Sequence, residues 1–218
     1  MPVAIYITAS AGISKARVFK NEKSVFENKT ADLPDFLLAI YHHFGLKYPK
    51  FHKMDYLSKA GWLASEVLLK DSYEAGKYKP EEVGVVLTNA SSSLDTDLKY
   101  FESTKDIASP ALFVYTLPNI VIGEICIRNG LKGESAFFIF ETFDPDFIEN
   151  YVSNLINNNI LQACICGWVE LIGEEWLIVL FLVEKNLNKA DHPLAAIGTE
   201  SMVFKKENLN KIYHLING

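Results

Sequence analysis

The sequence holds little cysteine. Its three thiols, Cys126, Cys164 and Cys166, are odd in number and lack the spacing of a disulfide framework or a zinc site. No charged-then-apolar leader opens the chain, so a reducing cytoplasm is the expected setting. Long apolar runs are also missing. The longest, Trp176 to Val183, falls far short of the ~20 residues of a membrane helix, so no membrane partner is expected. Basic residues are outnumbered, 21 Lys and Arg against 27 Asp and Glu, giving a net charge of −6. That balance gives no electrostatic footprint for nucleic acid.

What is present is an ordinary globular composition, 218 residues with 49% hydrophobic side chains and no linker or repeat, expected to form a single domain over 1–218. Residues 3–8 read as a strand followed by an irregular loop. "DLPDFLLAIYHHFG" reads as a short helix capped by Asp35 and stopped at Gly45. "DYLSKAGWLASEVLLKD" places Leu57, Ala60, Leu63, Ala64, Val67 and Leu68 at helical spacing behind Asp55 as cap. A strand over 82–88 runs into a polar loop extending to about residue 110. A helix from Pro118 to Gly130 is expected to pair Glu124 with Arg128 and to be buried on more than one side. A strand at 136–140, a helix at 145–158 and two strands joined by a "GEE" turn follow. Unbroken apolar strands alternating with helices predict an α/β protein with a mixed, mostly parallel five-stranded sheet.

Four segments, "KFHKMDYLSKAGWLASEVL", "EEVGVVLTNA", "SPALFVYTLPNIVIGEICIRNGLKG" and "ILQACICGWVEL", resemble, in wording and in order, the N-terminal half of a β-ketoacyl synthase of the thiolase fold. Lys53-Met54-Asp55 stands where that family has Arg-Met-Asp, Leu117-Pro118-Asn119 opens a later helix, and Lys132-Gly133 closes it. The ungapped reading ends on Gly167-Trp168-Val169-Glu170, the counterpart of a Gly-Gly-x-Glu segment. The same reading sets Phe140-Glu141-Thr142 under Thr-Ala-Cys, so Thr142 takes the nucleophile's place and the cysteine is missing. The family's two histidines and its Gly-rich loop belong to a second half, and none of the five histidines here stands in matching context. The resemblance therefore implies half of a thiolase-like fold without condensation chemistry.

Decarboxylative condensation needs a thiolate, positioned imidazoles and backbone donors for an oxyanion. At the turn "FFIFETFDPDF" the sequence offers instead Asp144 as a helix cap, Pro145 at the first helical position and Asp146 in the first turn, acids that occupy the anion-binding end. The helix behind the turn is two-faced. Phe147, Ile148, Tyr151, Val152, Leu155 and Ile156 line one side, with polar residues on the other, so a solvated outer face and a half-length protein are expected.

By that resemblance the chain is a non-catalytic partner subunit in fatty-acid-like or polyketide biosynthesis, with a ketosynthase or an acyl carrier protein as partner. Pro118, Asn119, Ile122, Phe138 and Phe140 then mark the interface region. Two alternatives remain open. One is a residual acyltransferase or thioesterase working through Thr142 or the Ser91–Ser93 loop, and the other a homodimeric acyl- or ligand-binding module. No cofactor and no metal site are expected. Cys164 and Cys166 alternate into one strand face and Cys126 sits among isoleucines, which reads as packing. His42, His43 and His52 lack a completing carboxylate, and "NASSSLDTD" lacks the glycines and lysine of a phosphate loop, which leaves a solvated loop or a partner contact.

Overall fold

A computed structural model describes residues 4–185 and 202–218. Eight strands among these residues form one sheet: β1 (Ile5–Ser14), β2 (Arg17–Lys20), β3 (Lys23–Glu27), β4 (Val83–Asn89), β5 (Ser135–Ile139), β6 (Ala163–Ile172), β7 (Glu175–Lys185) and β8 (Met202–Val203). The order is β3-β2-β1-β7-β6-β4-β5, with β8 also paired to β1. Seven helices accompany it among the described residues: α1 (Leu33–His43), α2 (Tyr56–Leu69), α3 (Leu94–Ser103), α4 (Pro110–Val114), α5 (Ile120–Asn129), α6 (Pro145–Asn157) and α7 (Lys206–Asn217).

The α/β class holds, but the sheet has eight strands rather than five. Among the described residues only β4 with β5 and β4 with β6 pair in parallel; the other pairings are antiparallel. Strand direction was misread because the apolar runs report two-sided burial, which helices on both faces impose on antiparallel strands as well. Along β7, Ile178, Leu180 and Leu182 face a core shared with α1, α2 and α5, whereas Val179, Phe181 and Val183 face a second core shared with α6 and α7. Along β6, Ile165 and Val169 face the first core, while Cys164, Cys166 and Trp168 face the second. Both cysteines are thus fully buried in packing.

Local signals explain most helices. Asp55 Oδ1 accepts from Ser58 N at 3.0 Å and starts α2 as expected. Asp144 Oδ1 accepts from Phe147 N at 2.9 Å and starts α6. Gly130, at φ 67°, ends α5 in the left-handed conformation that a side chain resists. α1 begins three residues earlier than expected, because Asp32 rather than Asp35 is the cap, accepting from Asp35 N at 3.0 Å. The segment after residue 8 is no irregular loop. β1 continues to Ser14 and turns into the β2–β3 meander. From β2, Lys20 Nζ donates to the carbonyls of Val67, Leu68 and Lys70 at the end of α2, and burial pushes its pKa down to about 8.

Two further expectations are corrected. The stretch 88–110 contains α3 instead of a continuous loop. In α5, Val121, Ile122, Glu124 and Ile125 are buried while Ile127 and Arg128 are exposed, so only one side faces the core. Glu124 does not pair with Arg128. It turns inward to Lys50 Nζ at 2.7 Å and Tyr115 Oη at 3.1 Å, and Arg128 reaches across to Glu66 at 3.1 Å. A carboxylate that lies inside takes its cation from whichever element overhangs it, which helical spacing alone does not specify.

Candidate functional site

The C-terminal ends of β4 and β5 lie side by side, as the parallel register from Val85–Ser135 to Asn89–Ile139 requires, with Thr88 level with Trp168 of β6. Two turns leave this end. One follows β4 and carries Ala90 to Ser93; the other follows β5 and carries Phe140 to Asp144 into α6. Phe140 N donates to Asn89 O at 2.9 Å and ties them together.

The first turn is heavily braced. Asn89, fully buried, donates through Nδ2 to Ser92 O at 2.8 Å and accepts at Oδ1 from Ser92 N at 3.0 Å. That reciprocal pair holds Ser92 at φ 53°. Glu170 Oε2, from the adjacent β6, accepts from Ala90 N at 2.6 Å and Ser91 N at 3.1 Å. Ser93 is buried and donates through Oγ to Thr116 O at 2.8 Å. The solvated-loop expectation for "NASSSLDTD" is therefore corrected, because Asn89, Ser93 and Thr96 are buried and bonded within the protein.

The second turn is open. Phe140 to Pro145 line a shallow depression of about 340 Å³. Thr142 is exposed there, and among the described residues nothing is hydrogen-bonded to its hydroxyl. Asp144 is not bonded to it; its Oδ1 instead accepts the Phe147 amide of α6. The helix end is acidic throughout. Asp146 Oδ1 meets Lys206 Nζ at 2.7 Å, and Glu149 Oε2 accepts from Lys206 N at 2.6 Å. Beneath the turn, Phe143 stacks on Tyr213 of α7, centroids 4.6 Å apart and planes within 16°. An activated hydroxyl nucleophile needs a base within hydrogen-bond reach, and among the described residues none is bonded to Thr142.

No protein-family model matches the sequence, and no curated protein does. Solved structures do. The ishigamide ketosynthase/chain length factor superposes with a TM-score of 0.60 at 17% identity, covering 86% of this chain and 63% of the other. A type II polyketide acyl-carrier protein in complex with its hexaketide-bound ketosynthase gives 0.58 at 16% identity, covering 85% and 64%. A ketosynthase in complex with its chain length factor from Xenorhabdus doucetiae gives 0.53 at 13%, covering 85% and 80%. The fold is that of the β-ketoacyl synthases.

The chain spans less than two thirds of the length of the first two of these structures. Within this ketosynthase-like fold Thr142 lies exposed on the turn between β5 and α6. Lys53-Met54-Asp55 acquires a physical role. Asp55 caps α2 with one oxygen and accepts from Thr96 Oγ1 of α3 at 2.7 Å with the other, so it joins the two helices; burial raises its carboxyl above the usual range against the pull of those hydrogen bonds. Among the residues expected at an interface, Pro118, Phe138 and Phe140 are half-buried and Asn119 is exposed, but Ile122 is 6% exposed and belongs to the core.

Cys126 is half-buried, with burial raising its thiol. His42, His43 and His52 are exposed and make ring contacts with Tyr41, Phe26 and Phe51, and among the described residues no group of three or more His, Cys, Asp or Glu could hold a metal ion. No described helix is long and apolar enough to cross a membrane. The sequence reading missed Asn89 as a brace, and it missed α7; Glu170 was visible only as a motif letter, since a clamp on two backbone amides has no one-dimensional signal.

Proposed function

We propose that this chain is a non-catalytic, ketosynthase-like partner subunit in polyketide biosynthesis. The observation that supports the reading is the turn after β5, where, among the described residues, no base is bonded to the exposed Thr142 and the start of α6 carries Asp144 and Asp146. The partner is a ketosynthase chain. Among the described residues β5 pairs only with β4, and its Ala136, Phe137, Phe138 and Ile139 are at most half-buried, an apolar strand composition on a sheet edge. Phe138, Phe140, Phe147 and Tyr151 form a half-exposed aromatic cluster beside it, with ring centroids 4.7–6.4 Å apart. Pro118 and Asn119 lie in the turn that precedes α5. An acyl carrier protein would meet the basic stretch 42–53, which holds His42, His43, Lys47, Lys50, His52 and Lys53 and no acidic residue.

The test is co-expression with an intact ketosynthase and its carrier protein. A stoichiometric complex that is lost on Phe138→Asp, together with no turnover of acyl-carrier thioesters by the chain alone, is the expected result. Thioester hydrolysis or an acyl adduct that disappears in Thr142→Ala would overturn it in favour of a residual acyltransferase.

A further inference from the structure

One buried carboxylate takes its counter-ion from the surface. Glu124 of α5 is 3% exposed, and its two oxygens are held by different elements. Oε1 accepts from the Tyr115 hydroxyl at 3.1 Å, and Oε2 lies 2.7 Å from Lys50 Nζ. Lys50 belongs to the 3-10 turn Pro49–Lys53, which is anchored by the buried Phe51 stacked on Tyr41, while the Lys50 side chain itself is 41% exposed. The contact is close but poorly aligned. Among the described residues Glu124 Oε2 receives no directed hydrogen bond, so the ammonium keeps donors for another acceptor. Arg128, one turn along α5, cannot stand in, because two bonds at 3.1 Å commit it to Glu66. Stripping a buried carboxylate of its cation is strongly unfavourable. On the far side of Glu124, Tyr115 closes α4: its amide donates to Leu112 O at 2.9 Å, and the Thr116 amide to Phe113 O at 3.2 Å. Burial and the Glu124 charge hold the Tyr115 hydroxyl above its usual range, which keeps it a donor.

We propose that the Lys50–Glu124 pair is a latch through which an acidic partner seated on the stretch 42–53 loosens the turn 115–119. The proposal rests on the docking regions read above, the basic stretch for the carrier protein and Pro118 and Asn119 for the ketosynthase. With the latch closed, Lys50 neutralises Glu124, and Glu124 holds the Tyr115 hydroxyl. With it open, a carboxylate or phosphate of the partner draws the ammonium outward, and Glu124, left charged without a cation, turns toward water and releases Tyr115. Phe51 keeps the backbone of the 3-10 turn in place, so the change is confined to side chains on that side. Because both partners bias one element, the coupling is reciprocal: carrier docking weakens the ketosynthase contact, and ketosynthase binding weakens carrier docking by the same factor.

Hydrogen exchange, followed amide by amide, tests the latch in the chain alone. Lys50→Met should speed exchange at Tyr115 and Thr116 at least tenfold. Adding Glu124→Gln to Lys50→Met should restore the parent rates, since glutamine keeps an acceptor for the Tyr115 hydroxyl and carries no charge. Unchanged rates in Lys50→Met, or a double variant as loose as the single one, would overturn the proposal. Should Lys50→Met lose its fold, the carrier protein used for co-expression decides: it should speed the same two amides at least tenfold in the parent chain and leave them unchanged in Glu124→Gln. Equal acceleration in both chains, or a bound carrier protein that moves neither amide, rejects the latch and leaves the docking reading standing. A carrier protein that binds neither chain overturns the docking reading, and this proposal with it.

Discussion

Asp55 shows how much one residue of a motif can carry. Its place before an apolar helical stripe made the cap readable in advance, yet the second bond, to Thr96 some forty residues away, was invisible because it depends on α3 folding against α2. Burial lifts the Asp55 carboxyl above its usual range, with Asp95 adding repulsion, so the native state holds this proton more tightly than the unfolded chain does. The stabilisation from that proton is full below the unfolded value near ~3.9 and is lost as pH rises through the raised native one. Asn at this position keeps an acceptor for Ser58 N and never ionises. Asp55→Asn should therefore stay within ~0.5 kcal/mol of the parent at pH 4 and become relatively more stable toward pH 7, whereas Asp55→Ala should cost about 0.5–2 kcal/mol throughout. Urea unfolding at the two pH values decides; an Asn variant as damaged as the Ala variant at pH 7 would show that the charge itself is needed.

Among whole elements, those with a cap at one end and a continuous apolar stripe were legible: α2, α5 and α6. The elements that escaped have the opposite construction. α3 turns its apolar residues outward, and α7 buries only Leu209, Ile212 and Ile216 within a polar sequence, so neither produces a stripe that stands out. α7 also rests on a glycine whose purpose is spatial. A Cβ built on Gly12 of β1 would lie 2.5 Å from Ile216 Cγ2 and 2.7 Å from its Cδ1, so the absence of a side chain there is what lets the helix settle on the strand. Gly12→Ala should destabilise the protein by about 1–3 kcal/mol through overpacking. Shortening the opposing side chain with Ile216→Val in the Gly12→Ala background should recover part of that loss, although Ile216→Val alone costs about 0.5–1.5 kcal/mol. Additive losses in this double-mutant cycle would mean that the two residues do not meet.

For the molecule as a whole, the sheet's directions were the least legible feature, since pairing is decided between segments far apart in sequence. One clue was available: β6 and β7 are joined by a tight turn, which already requires an antiparallel pair. The finished arrangement covers both sheet faces, with α1, α2 and α5 on one and α6 and α7 on the other. The outer side of α6 is polar, with Asp146, Asn150, Asn154 and Asn157 exposed, and α7 shows Glu207, Asn210, Lys211 and His214. A layer so faced does not present the apolar surface that a second sheet would need, and α7 completes the cover of Phe143, Phe181 and Val183. Closure of the second core then depends on α7. Removing residues 206–218 should expose that core, producing strong binding of a hydrophobic dye, a loss of several kcal/mol in urea unfolding and a tendency to aggregate. A truncated chain that unfolds at the parent's midpoint and binds no dye would mean that α6 alone seals the sheet, and that α7 is an appendage rather than part of the fold.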